Sequence, residues 1–252
     1  SSAASDVYKR QVVVAFTILL GAGLGRLLKM DRDTALLTSI GSSICGAAAV
    51  LGAEPVVKSQ PYKAAVAVST VVIFGTLSMF LYPALFRAGM LDLTTEQMGL
   101  FTGATLHEVA HVVGAGNAMG QAISDPAIIV KMIRVMMLAP VLVILSIILS
   151  RREAAAGQAG EKRKITIPWF AFLFLAVIGF NSLHLLPSGV VSAINSLDTF
   201  LLTMAMTALG AESSFEKFKK AGARPFLLAA LLYAWLFFGG YWLVKGITAW
   251  MA

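Results

Sequence analysis

The sequence predicts an all-α, polytopic membrane protein of about eight membrane helices, two of them interrupted and running in opposite directions. Three observations predict it. The chain has 252 residues, of which 58% are hydrophobic and only 13% charged; an ordinary soluble domain carries about 25% charged residues. Its apolar residues fall in runs of the roughly 20 residues that cross a bilayer, apolar all round rather than on one face. Lys and Arg concentrate in the linkers between runs, as they do in loops that set topology.

Taken in order, residues 1–11, "SSAASDVYKRQ", are polar and read as a non-native or disordered leader. The rest, 12–252, reads as a single transmembrane domain. Uninterrupted apolar runs occupy 12–28, 63–86, 126–150, 165–186 and 225–250, and runs broken by Gly, Ser or polar residues occupy 34–57, 97–120 and 188–213. Arg26, Lys29 and Arg32, then Arg151, Arg152, Lys162, Arg163 and Lys164, then Lys217, Lys219, Lys220 and Arg224 form three basic clusters. With every run counted as one crossing, the linkers 29–33, 87–96, 151–164 and 214–224 fall in the cytoplasm. Lys58 and Lys63 then stand on the wrong side. Arg87, Lys131 and Arg134 are expected near helix ends, reaching to the interface. The net charge of +7 is explained by these loops and gives no reason to expect nucleic acid. Cys45 is the single cysteine, which excludes an intrachain disulfide and a CxxC metal site.

Two interrupted runs carry a functional expectation. In 34–57 the centre is Gly41-Ser42-Ser43-Ile44-Cys45-Gly46, and 188–213 carries Thr203, Thr207, Gly210, Glu212 and Ser213. Interrupted helices of opposite direction point to an inverted-repeat secondary transporter, with half-helix N-termini at the midplane. A half-helix N-terminus suits an oxyanion. The expected substrate-binding set is therefore Ser42, Ser43 and the backbone of Ile44, Cys45 and Gly46, with Asn117 and Asn181 lining the cavity. Glu212 and Ser213 are expected to hold a proton or sodium. The competing reading is that these glycines and serines only let helices pack closely.

Residues 107–111 read H-E-V-A-H. On one helix His107 and His111 would share a face, and Glu108 could activate water on a zinc ion. A catalytic zinc needs a third protein ligand, for which His184, Asp125 and Asp198 are the candidates. That defines the alternative, an intramembrane zinc metalloprotease. The stretch after His111, "VVGAGNAMG", is glycine-rich and polar, and such a stretch is tolerated at membrane depth only beside protein or a water-filled cavity. His107, Glu108 and His111 are therefore favoured as a proton or substrate relay with no metal and no cofactor, coupled to H+ or Na+.

Three motifs, "TGATLHEVAHVVGAGNAMG", "SIGSSICGAAAVLGAEPVV" and "VVIFGTLSMFLYPAL", resemble the YeiH-type sulfate exporter family over residues 12–252. That family resembles the bile-acid, arsenite and riboflavin transporter grouping. The resemblance implies two inverted five-helix repeats, 12–86 being the end of the first and 97–252 the second. It implies export of a small anion, sulfate or an organosulfur anion, through the inner (plasma) membrane by a multi-pass protein. The lipid bilayer and the anion are then the partners, with a homo-oligomer possible. Relatives resemble H-E-V-A-Q at the motif, and a glutamine where this chain has His111 fits a hydrogen bond better than a metal ligand. The family implies about ten spans, so the chain is expected to lack about two helices of the first repeat; an inactive fragment is the remaining alternative.

Overall fold

The computed structural model describes residues 2–155, 169–183, 185–212 and 222–251. Among them the only regular structure is helical: α1 (Ser2–Leu27), α2 (Arg32–Ser43), α3 (Ala47–Val57), α4 (Pro61–Arg87), α5 (Thr95–Thr105), α6 (Val109–Met119), α7 (Gln121–Met136), α8 (Leu138–Ala155), α9 (Trp169–Ser182), α10 (Ser188–Glu212), α11 (Ala223–Ala234) and α12 (Gly240–Met251). One π-turn, Trp235–Gly239, joins the last two. Residues 2–11, read from the sequence as a leader, form the first turns of α1. Among the described residues three helices are long and apolar enough to cross a membrane: Pro61–Arg87, Gln121–Arg151 and Ala223–Gly246.

The run 34–57 is split, but its halves do not continue in one direction. Lys63 at the start of α4 donates to Asp31 Oδ1 at 2.9 Å and Asp33 Oδ2 at 2.8 Å. The start of α2 therefore lies beside the start of α4. The end of α3, Val57, is joined to Pro61 by three residues, so α3 returns to the end of the molecule from which α2 left. A Cβ built on Gly41 of α2 would lie 2.6 Å from Val50 Cγ2 of α3, the close approach of two helices lying side by side. Thus α2 and α3 form a helical hairpin with its tip at 44–46. Gly46 turns that tip, at φ 70° and ψ −132°, in a region only glycine enters freely.

A second hairpin is built from 95–119. Gly99 and Gly103 of α5 lie against Pro126 and Ala127 of α7, in parallel order. Gly116 of α6 lies against Ser124, so α6 runs antiparallel to α7. α5 and α6 thus leave and return at the end where α4 finishes, and Arg87 there donates to Ala118 O at 2.5 Å. A capping box of Thr94 and Gln97 starts α5. The chain then runs extended, with ψ 147° at Leu106 and 156° at Glu108. Each arm of the two hairpins has 11 or 12 residues, about 17 Å at 1.5 Å per residue, half a hydrocarbon core of about 30 Å.

This corrects the single-crossing count. Residues 29–33 and 58–63 lie at one end, and 87–96 lie at the other with Gly120 and Asp125. Lys58 and Lys63 accordingly join Arg26, Lys29 and Arg32 at one basic end. The Lys63 bonds also set the acidity of this end. Burial raises the Asp31 carboxyl, but the bonds from Lys63 and Thr34 outweigh it and hold Asp31 below its usual value.

The run 188–213 also differs from expectation. It forms one continuous helix, α10, to Glu212. Its hydroxyls bond back within the helix: Thr199 to Asn195 O at 2.8 Å, Thr203 to Thr199 O at 2.7 Å and Thr207 to Thr203 O at 2.8 Å. Polar side chains satisfied this way require no break.

Candidate functional site at the two hairpin tips

The tips meet. Both consist of a helix C-terminus, a short non-helical stretch and a helix N-terminus, and all four helix ends need partners for their orphan backbone groups. The carbonyl ends are held by two cations from α7. Lys131 Nζ donates to Ile44 O at 2.9 Å, Leu106 O at 2.7 Å and His107 O at 2.5 Å. Arg134 donates to Ser43 O and Ala104 O. Lys131 is 0% and Arg134 2% exposed. Each cation thus bridges the ends of α2 and α5, where the helix dipole is negative. Neither reaches an interface, which corrects the expectation that they snorkel.

The N-terminal ends face something different. Ala47, the first residue of α3, donates its N–H to Glu108 Oε1 at 3.1 Å. Glu108 is the residue before α6 and is 6% exposed. Neither α3 nor α6 has a capping bond from its own N-cap side chain. Ala48 is exposed and Val109 and Ala110 are half-buried, so the two N-termini open from the core towards the surface.

Two glycines make room. A Cβ on Gly46 would lie 2.3 Å from Glu108 Cγ, and one on Gly75 of α4 would lie 2.4 Å from His111 Nδ1. His111 Nδ1 stands 3.9 Å from Glu108 Oε2 with no hydrogen-bond partner, while its Nε2 lies 3.4 Å from Thr76 Oγ1. Both ring nitrogens of His107 are buried without a partner, as is Ser42 Oγ.

The helical premise of the zinc reading is not met. α5 ends at Thr105 and α6 begins at Val109, so the break falls inside H-E-x-x-H and the two histidines are not one turn apart on a helix. Asp125 accepts from Gln121 at 2.5 Å, Asp198 is exposed on α10, and His184 lies outside the described residues. Among the described residues no three His, Cys, Asp or Glu side chains converge to hold a metal.

A family model described as conserved hypothetical protein 698 matches residues 4–229. The chain belongs to that family. Members of the family are similar to it over most of its length. A UPF0324 membrane protein of Bacteroides thetaiotaomicron is 65% identical over 241 residues, 95% of this chain and 72% of that protein. One from Bordetella bronchiseptica is 55% identical over 238 residues, 94% of this chain and 74% of that protein. The UPF0324 inner membrane protein YeiH of Escherichia coli K12 is 50% identical over 230 residues, 91% of this chain and 65% of that protein. No solved structure matches the chain. Family membership and the three apolar helices make this a membrane-embedded protein.

Within this family member the sequence-derived site residues separate. Ser42 and Ser43 end α2 and lead into the first tip of Ile44, Cys45 and Gly46, while His107 and Glu108 belong to the second tip with His111 one turn on. Two of the expected orphan donors are already used: Ile44 N bonds Ile40 O at 3.1 Å and Gly46 N bonds Gly41 O at 2.9 Å. The first N–H of α3, at Ala47, is the one Glu108 accepts. Asn117 is exposed on α6 and accepts from Ser124 at 2.8 Å. Asn181 lines a hollow of about 210 Å³ with Leu185 and Val191, apart from the tips. Glu212 ends α10, and Ser213 lies outside the described residues. The sequence gives no role to Ala47, Ala48 or Gly75, and it places Lys131 and Arg134 at helix ends instead of at the tips. The signal for the cations was present: two ionisable residues inside the apolar run 126–150, which in a membrane segment mark function by default.

Proposed function

We propose that the chain is a secondary transporter of a small anion, a multi-pass protein of the inner membrane. The observation that carries this reading is the division of labour at the tips. Lys131 and Arg134 are occupied by the carbonyl ends of α2 and α5, while the N-terminal ends of α3 and α6 converge without caps of their own. Such a pair of N-termini carries partial positive charge and N–H donors and selects an anion. Hairpins entering from opposite ends, each followed by a long helix (α4 or α7–α8), fit two inverted units around a midplane site. The resemblance noted above favours sulfate or an organosulfur anion, with H+ or Na+ as the coupling ion. Radiolabelled sulfate flux into proteoliposomes tests the reading. Flux that saturates with sulfate concentration and is competed by methanesulfonate supports it; absence of flux for oxyanions with correctly folded protein contradicts it.

A further inference from the structure

Resting on that reading, we propose that the Glu108 carboxylate is a tethered stand-in for the transported anion: it occupies the N-terminus of α3, and the substrate takes its place only when Glu108 accepts a proton. The geometry is that of a bound oxyanion. Glu108 Oε1 accepts the first N–H of an 11-residue helix at 3.1 Å. Gly46, at φ 70°, leaves the space that the Glu108 side chain fills, since any Cβ there would collide with it. An independent observation marks the same spot. His111 is 2% exposed, its Nε2 lies 3.4 Å from Thr76 Oγ1, and its Nδ1 stands 3.9 Å from Glu108 Oε2 without a hydrogen bond. A polar atom so buried and unbonded is unusual, and here it faces the one carboxylate of the site.

An external anion at Ala47 and Ala48 would sit against the charged carboxylate in a poorly screened interior, where like charges exclude one another. Protonation removes that charge. It also weakens the hold of the α3 dipole on Glu108, so the side chain leaves and frees the N–H groups. The titratable and charged groups around Glu108 among the described residues are Cys45 on the first tip, His107 and His111 on its own hairpin, Lys131 and Arg134 from α7, and Tyr233 from α11, whose ring lies 6.3 Å from that of His107. Lys131 already gives bonds to three carbonyls and cannot replace the proton. Anion and proton therefore bind together, the proton residing on a Glu108 oxygen.

The test uses the full chain in detergent, with sulfate and methanesulfonate as probes and chloride to match ionic strength. Wild-type protein is expected to bind sulfate more tightly as pH falls, by up to about tenfold per pH unit while Glu108 titrates. In weak buffer, sulfate should draw about one proton from solution per anion bound, as linkage requires. Glu108→Gln should bind sulfate with no pH dependence, as tightly as wild type at its acid limit. Proton uptake is read on wild-type protein, so it decides the matter even if Glu108→Gln does not fold. Anion binding without proton uptake, or with the same pH profile in Glu108→Gln, overturns the inference and leaves the transporter reading intact. Failure of both anions to stabilise either protein at any pH overturns both.

Discussion

The two hairpin tips do the same mechanical work with different chemistry. The first, Ile44-Cys45-Gly46, has no charged side chain and turns on a glycine at φ 70°. The second, Leu106-His107-Glu108, has no glycine and crosses in an extended conformation. The first can turn sharply but cannot satisfy its own ends, and borrows Lys131, Arg134 and Glu108 from elsewhere. The second brings a carboxylate but needs room, which Gly46 and Gly75 supply. The long helices beside them differ in the same way: α4 contributes space at Gly75, and α7 contributes charge at Lys131 and Arg134. A polar break at membrane depth is stable when a neighbouring element completes it. Here each tip is completed largely by the other and by α7.

The most damaging way to break this arrangement is at the shared cation. Lys131→Met leaves three carbonyls at two tips without a donor and should cost several kcal/mol, since each buried acceptor left unsatisfied costs about 1–3 kcal/mol. Monodisperse yield and the thermal midpoint would reveal it. Lys131→Arg should not restore stability, since a planar guanidinium cannot present its donors as an ammonium does. A Lys131→Met protein as stable as wild type would remove the link between the tips.

Gly46→Ala comes next, at about 1–3 kcal/mol from strain at positive φ and from overpacking. Pairing it with Glu108→Ala sharpens the comparison. The double variant should recover part of the loss, a coupling of at least about 0.5 kcal/mol, because the atoms that collide belong to Glu108. Strict additivity would mean that the tips do not touch.

How much of this was legible in the sequence follows from the same chemistry. The break at 44–46 was readable because glycine and serine at the centre of an apolar run have a direct backbone meaning. The all-helical membrane class was readable from run length and charge. The hairpin course was not, because an apolar run of 24 residues reads the same whether it crosses or doubles back; Lys63 meeting Asp31 and Asp33, and Gly41 lying against Val50, separate the two. Glu108 was legible as a functional carboxylate, but its partner, the Ala47 N–H, is a backbone group 61 positions away and leaves no side-chain signature. The sequence places the second break in 188–213 on Thr203, Thr207, Gly210, Glu212 and Ser213. The hydroxyls of Thr203 and Thr207 bond one turn back, and composition alone does not distinguish a satisfied hydroxyl from one that opens a helix.

Smaller effects bound the comparison. His111→Gln keeps a polar group near Thr76 and should change stability by about 1 kcal/mol or less, with sulfate binding retained; a large loss of binding would give His111 a direct part in holding the anion. Smallest is Lys63→Gln, at about 0.2–1 kcal/mol for an ion pair at the molecule's edge. Its pH signature has a defined sign. Asp31 is held below its usual value in the folded protein, so its contribution is present above the ordinary carboxylate range and is lost as pH falls through the lowered value. Wild type and Lys63→Gln should therefore converge in thermal midpoint on acidification, and a gap that widens in acid would be inconsistent with that pairing.

The central claim is that an anion binds where the N-termini of α3 and α6 meet. A crystal structure of the full chain grown at acid pH with selenate, read from the selenium anomalous signal, tests it most directly. One site is expected within hydrogen-bond reach of the Ala47 and Ala48 N–H groups, with the Glu108 side chain displaced from Ala47. Selenate bound instead on Lys131 and Arg134 or along α10, with Glu108 still on Ala47, would contradict it.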